Sequence, residues 1–231
     1  FYEKLVGGNI EYFTKNIIGK KFSRVSRRGK YLFFHLSDGN FLVGHLKMTG
    51  QFVYQKSADE AIGGGHHIKE TFLELPHKHS HIIFTFEDNS RLFYNDPRRF
   101  GYIYFKNLAE KRLIENKLGI DPTYIEEFTL ENWRKVFTKR QTNIKAFLLN
   151  QQYIAGLGNI YVDEICFRSG ILPMRKLADL SEDDIENLYK NCVNIINEAL
   201  TAGGTTFYSF RGSNNKKGTF FNFLKVFQRE G

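Results

Sequence analysis

The sequence predicts an α+β protein, with an antiparallel β-sandwich in its N-terminal half followed by a helical unit. Two observations predict it. Between Lys21 and Phe105 short apolar runs alternate with turn signals at hairpin spacing, and after about Asn107 the apolar period becomes helical. The bulk numbers agree: 231 residues, 42% hydrophobic and 16% aromatic, are enough for a proper core in one large domain or two small ones.

The first hairpin is Lys30-Tyr31-Leu32-Phe33-Phe34-His35-Leu36, the turn signal Ser37-Asp38-Gly39-Asn40, and Phe41-Leu42-Val43. A second runs from His81 to Phe86, turns at Glu87-Asp88-Asn89-Ser90 and returns through Arg91 to Tyr94. Between them Lys56 to His67, with Gly63-Gly64-Gly65, reads as a mobile loop. Six or more short strands joined by hairpin turns suggest a sandwich or barrel.

In the second half, Thr129 is placed to cap a helix from Leu130 to Lys139, and Asn143 to Asn150 forms a short second one. Asn159 to Arg168 forms a third, ended by Gly170. Ser181 caps a fourth, long helix with Asp183 and Asp184 near its positive end. Its apolar stripe is Ile185, Leu188, Cys192, Ile195, Ile196 and Leu200, and Gly203-Gly204 stops it. A Gly/Asn/Lys loop, Arg211 to Gly218, and a strand-like tail, Phe220 to Phe227, complete the chain.

Composition narrows the setting. No apolar run approaches a membrane span, and the N-terminus lacks a basic-then-apolar signal pattern, so no membrane partner is expected. The two cysteines, Cys166 and Cys192, lie far apart without a CxxC, which excludes a disulfide framework or a cysteine zinc site and fits a reducing, cytoplasmic compartment. His66, His67, His77, His79 and His81 cluster, but no carboxylate or cysteine lies at useful spacing and no metal is expected there. A net charge of +8 suits a polyanionic partner or a lysine-rich surface tuned for solubility.

Five stretches carry chemistry. Ala155-Gly156-Leu157-Gly158-Asn159 turns tightly before a helix whose free N–H groups could hold a phosphate, although an ordinary turn and cap reads the same way. Lys145, a turn into the preceding helix, belongs to a second such start or to a solvated basic face; with both starts open, two helices would grip consecutive phosphates. In Tyr94-Asn95-Asp96-Pro97-Arg98-Arg99-Phe100-Gly101, Pro97 ends ladder pairing and projects a guanidinium fork and an apolar wedge off the sheet. Met48, in His45-Leu46-Lys47-Met48-Thr49-Gly50, is a further wedge candidate, although spacing alone favours core packing for Met48 and Phe100. Lys30, after Arg27-Arg28-Gly29, is a phosphate ligand or an amine of depressed pKa.

Taken together, RRGKYLFFHL, HLKMTG, HSHIIFTF, NDPRRFG, NIKAFLLNQQYIAGLGNIYVDEICFRSGI, AGGTTFYSF and LKVFQREG resemble the formamidopyrimidine-DNA glycosylase (Fpg/MutM) branch of the Fpg/Nei family. The resemblance runs from about Lys21 to the end. It implies a β-sandwich at 1–107, a linker at 108–122, a helix-two-turn-helix unit at 123–204, and a lesion-capping loop with the start of a C-terminal extension at 205–231. It implies removal of oxidised purines (8-oxoguanine, formamidopyrimidine) from duplex DNA by base flipping and an amine–sugar Schiff base, with abasic-site lyase activity. Met48, Arg98 and Phe100 would fill the gap left by the everted base. Lys30, His45, Gly158 and Asn159 would bind phosphate, Lys30 and Lys145 would be accessory lysines, and Arg211 and Thr219 would flank the lesion loop, Thr219 standing where the family usually has a tyrosine. The expected partner is double-stranded DNA carrying an oxidised purine or abasic site, and the expected protein is a monomer associated with the nucleoid.

The family's nucleophile is an N-terminal proline in a PELPE-type start, and its four-cysteine zinc finger follows the helical unit. This chain begins Phe1-Tyr2-Glu3-Lys4 and ends at Gly231. The expectation is therefore a trimmed portion of a longer enzyme, inactive as it stands, with the zinc finger beyond Gly231 and no cofactor within. The competing expectation is a damaged-DNA-binding module without catalysis.

Overall fold

The computed structural model describes residues 3–57, 60–66, 75–137, 141–204, 210–211 and 219–228. Contacts divide the chain into two compact units, Phe1–Arg112 with Gly203–Phe221 and Leu113–Ala202 with Asn222–Gly231.

The first unit opens with a 3-10 turn, Glu3–Val6, and helix α1, Ile10–Ile17, capped by Asn9, whose side chain accepts the Tyr12 amide at 2.8 Å. Strands β1 (Phe22–Arg28), β2 (Tyr31–Leu36), β3 (Phe41–His45) and β8 (Tyr102–Lys106) form one sheet in the order β1-β2-β3-β8. Strands β4 (Gln51–Ser57), β5 (Glu60–His66), β6 (Ser80–Thr85), β7 (Arg91–Asn95) and the two-residue β9 (Phe210–Arg211) form the other, in the order β6-β7-β4-β5-β9. Every pairing is antiparallel. The core lies between the sheets: Phe34, Leu36, Leu42 and Ile103 meet Ile82 and Tyr94, with Leu5 and Phe13 closing one side. These alternate positions supply the inward face that an aligned sandwich requires.

Segment 60–66, expected as a loop, is strand β5. Gly63, Gly64 and Gly65 pair with Val53, Phe52 and Gln51, so ladder hydrogen bonds to β4 override the weak strand propensity of a glycine run.

The second unit begins in helix α2 (Leu108–Glu115) and continues through α3 (Leu130–Val136), α4 (Ile144–Leu149), α5 (Asn159–Arg168) and α6 (Glu182–Thr201). The two expected caps, Thr129 and Ser181, are in place, and Asn143 supplies a third that the sequence reading did not name. Thr129 accepts from the Asn132 amide, Asn143 from Ala146, and Ser181 with Asp184 forms a capping box. Trp133 is fully buried and donates its indole N–H to the Ile185 carbonyl at 3.0 Å, tying α3 to α6. Along α6 the stripe closes with Ala199, 4% exposed, and Leu200 is 62% exposed instead of buried. At 100° per residue Leu200 falls roughly 100° from the centre of the stripe. Both cysteines are buried, and that burial pushes the Cys166 thiol up to about 12 and Cys192 further still, so neither is a nucleophile.

The expected tail strand is instead a 3-10 turn, Phe220–Phe223, followed by a segment fixed by one side chain. Glu164 of α5, fully buried, accepts the amides of Lys225, Val226 and Phe227 at 2.8–3.2 Å. Those amides therefore have no free donors for a ladder.

Candidate nucleic-acid interface

The chain crosses from one sheet to the other between β3 and β4, and back between β7 and β8. Register places the two crossovers side by side, because His45 pairs with Tyr102 on one sheet and Gln51 with Asn95 on the other. This brings Met48 to residues fifty positions away. Arg98 donates from Nη1 to Met48 Sδ at 3.4 Å, and its guanidinium carbon lies 4.7 Å from the centre of the Phe100 ring. Met48 is 58% and Phe100 55% exposed, and Arg98 is exposed as well. The three form one solvent-facing group, which excludes the core-packing reading.

Asp96, which the sequence reading left without a role, builds the turn. It is fully buried, and its carboxylate accepts from the Thr49 hydroxyl, the Arg98 amide at 3.2 Å, the Gly101 amide at 2.8 Å and the Tyr94 hydroxyl at 3.3 Å. One carboxylate thus fastens both crossovers. Burial, then the charge of Asp96, raises the Tyr94 phenol above its ordinary range and keeps it a donor. Imidazole Nε2 of His81 bonds the Asp96 carbonyl at 2.9 Å, so this histidine supports the turn. Arg99 takes the left-handed conformation, φ 56°, and Gly101 has no room for a side chain, since an added Cβ would collide with the Tyr94 hydroxyl and lie 2.7 Å from the His45 carbonyl. The signal in the sequence was an acidic residue before Pro97, in a turn otherwise basic and aromatic.

The same end of the sandwich holds a group of cations. Lys30 sits in the two-residue turn between β1 and β2, one position from Tyr31, which pairs with His45. His45 Nδ1 accepts the Lys47 amide at 3.0 Å, which places the proton of the neutral ring on Nε2 as a donor. Its edge meets Tyr31 at 5.0 Å, and Tyr102 lies 5.8 Å away. Burial, then Lys47 and Lys30, lowers His45 to about 4. Crowding by the protein body, then Lys47, lowers Lys30, although part of its side chain reaches solvent. The ammonium groups of Lys30 and Lys47, held near the neutral His45 ring, leave this end of the sandwich short of negative charge. Lys47, in the left-handed conformation at φ 51°, is the member the sequence reading missed.

The depressed His45 value has a measurable consequence. An unfolded histidine protonates near pH 6.5, whereas the native ring stays neutral until about 4, so the unfolded state binds the extra proton across that window. Stability contributed by His45 is present above 6.5 and is lost as pH falls toward 4. By NMR the His45 ring should titrate near 4, and H45Q should flatten the acid-side fall in stability. A midpoint near 6.5 contradicts the arrangement.

In the second unit Gln151 shapes the glycine turn. Its Oε1 accepts the Gly156 amide at 2.8 Å and its Nε2 donates to the Leu149 and Leu157 carbonyls at 2.8 and 2.9 Å. Gly156 has φ 96°, and Gly158 caps α5 without any side-chain bond. Asn159 is exposed at the first position of α5, where the amides have no intrahelical acceptor.

The start of α4 differs from the expectation of two open helix starts. Its Ile144 amide donates to the Arg175 carbonyl at 2.9 Å, Lys145 to Pro173 at 3.0 Å, and Ala146 to the Asn143 side chain. Returning chain at 173–175 occupies these donors, so α4 offers none to a phosphate. Lys145 instead pairs its Nζ with Asp163 at 2.7 Å.

Of the expected lesion loop, Arg211 belongs to β9, its backbone paired with Gly65, and Thr219 is exposed beside the 3-10 turn. Residues 205–209 and 212–218 lie outside the described residues, as do His67 and Lys139. Among the described residues, no group of three or more His, Cys, Asp or Glu side chains is arranged to hold a metal ion, and no helix is long and apolar enough to cross a membrane.

A sandwich whose crossovers display an arginine between two apolar side chains, continued by helices with an open start behind a glycine turn, defines the class of helix-two-turn-helix DNA glycosylases. Two family models match the chain: the formamidopyrimidine-DNA glycosylase N-terminal domain over residues 2–103 and the formamidopyrimidine-DNA glycosylase H2TH domain over residues 118–211. The formamidopyrimidine-DNA glycosylase of Lactiplantibacillus plantarum is 34% identical over 233 residues, covering 100% of this chain and 79% of its own. That of Geobacillus kaustophilus is 37% identical over 226 residues, covering 96% and 75%. Among solved structures, Lactococcus lactis Fpg in complex with DNA containing an abasic site aligns with a TM-score of 0.78 at 31% identity, over 98% of this chain and 78% of its own. A complex of the LlFpg protein with THF-DNA and an inhibitor aligns with a TM-score of 0.81 at 30% identity, over 100% and 79%. The chain belongs to the formamidopyrimidine-DNA glycosylase family.

Proposed function

We propose that this protein is a base-excision-repair glycosylase and abasic-site lyase that removes oxidised purines from duplex DNA. The observation that carries this reading is the exposed group of Met48, Arg98 and Phe100 on a turn locked by a buried carboxylate. Three large side chains held together in water have no structural use where they stand. Inserted into a duplex, an apolar wedge takes the place of an extruded base in the stack, and the guanidinium fork offers donors to the base left unpaired.

The phosphate contacts divide between the units: Lys30, His45 and Lys47 at one end of the sandwich, and Asn159 behind Gly158 at the start of α5. The relatives in solved complexes hold abasic-site DNA and Fapy-dG DNA, the substrate and product types this reading requires. In the covalent step an amine adds to the sugar C1′ and the N-glycosidic bond breaks. Its electron pair leaves with the base, which takes up a proton. The nitrogen then loses its proton and expels the ring oxygen O4′, which is protonated as the C1′–O4′ bond breaks, and the opened sugar is left as an imine on the amine. No step requires a metal.

Borohydride reduction during incubation of the full-length protein with duplex containing 8-oxoguanine tests the reading. The expected result is a covalent protein–DNA adduct. Lesion-selective binding without any adduct identifies a binding module instead.

A further inference from the structure

The Lys145–Asp163 pair joins the two helices that flank the glycine turn, and it stands one turn from the open start of α5. Asp163 follows Asn159 by four residues, so the two share a face of α5. Lys145 is anchored from the other side, its amide fixed to Pro173 and that of its neighbour Ile144 to Arg175. Its Nζ, on a flexible four-carbon stem, reaches Asp163 at 2.7 Å, and both side chains remain about one-third exposed, 35% and 29%. The lysine therefore stands at the proposed phosphate seat with its charge already neutralised by the protein.

Resting on the proposed function, we infer that Asp163 is a specificity-determining residue that withholds Lys145 from the phosphates of intact DNA. A lysine free at this position adds one sequence-independent phosphate contact to every duplex, damaged or not, and strengthens non-specific binding. A lysine paired with Asp163 adds none until a duplex bent at a lesion brings a phosphate close enough to displace the carboxylate. Asp163 thus weakens binding to intact duplex more than binding to the lesion.

Salt dependence reads this directly. Binding is measured between 50 and 200 mM salt to two duplexes of one sequence, one intact and one with a tetrahydrofuran abasic analogue. For D163N the slope of log K against log salt on intact duplex should steepen by about 0.9, the value for one added phosphate contact. Affinity for intact duplex should rise several-fold, and lesion preference should fall by the same factor. Adding K145M should return the slope to the wild-type value. K145Q tests the pair from the other side, and it applies even if D163N folds poorly: its slope on intact duplex should equal wild type. A D163N slope equal to wild type, or a K145Q slope shallower by about 0.9, overturns the inference. Absence of any lesion preference in the wild type overturns the proposed function itself.

Discussion

Replacing Asp96 with alanine should destabilise the first unit by about 3–5 kcal/mol, the usual cost of removing a buried charged acceptor from its donors. Four donors would lose their partner: the Thr49 hydroxyl, the Arg98 and Gly101 amides, and the Tyr94 hydroxyl. Tyr94 is fully buried, and the Gly101 backbone is buried too, so water cannot replace the carboxylate without opening the crossovers. Asp96→Asn should fall between, because its amide group turns one acceptor into a donor facing donors. Urea unfolding followed by circular dichroism measures the loss. A change below about 0.5 kcal/mol for D96A, typical of surface substitutions, would show that Asp96 does not hold the turn.

The second large effect separates function from stability. The double variant R98A/F100A should keep its stability within about 1 kcal/mol of wild type, because both side chains face solvent. Its preference for abasic over intact duplex should fall at least thirtyfold. Aromatic stacking on a base and a bidentate base contact are each worth about 1–3 kcal/mol, and both side chains are removed together. The Arg98–Phe100 contact, 4.7 Å from guanidinium carbon to ring centre, adds about 0.5–1 kcal/mol of preorganisation in the free protein. Binding competition at fixed salt measures the ratio. An unchanged preference would remove these residues from recognition.

How much of this was legible in the sequence follows from the range of the interactions. Hairpins such as Tyr31–His45 and caps such as Thr129, Asn143 and Ser181 depend on neighbours a few residues away, and their signals stand in the local pattern. The fate of Met48 and Phe100 depends on strand register, through the His45–Tyr102 and Gln51–Asn95 pairs, and spacing alone favoured the core, where neither lies. The resemblance to a family named both residues, and the structure supplies the reason they meet. The start of α4 shows the opposite limit. The helix beginning near Asn143 was expected, but nothing local shows that chain from 173–175 returns to occupy the Ile144 and Lys145 amides. Gly63–Gly65 failed as a loop for a related reason, since a ladder partner outweighs local preference.

The central claim is that Met48, Arg98 and Phe100 enter the duplex where a base has left it. A 2-aminopurine placed next to a tetrahydrofuran abasic analogue reports this directly, because its fluorescence rises when its stacking is broken. With saturating wild-type protein the signal should rise several-fold, and with saturating F100A most of that rise should vanish while binding persists. An equal rise with both proteins would mean that the stack is opened by something other than this group of side chains.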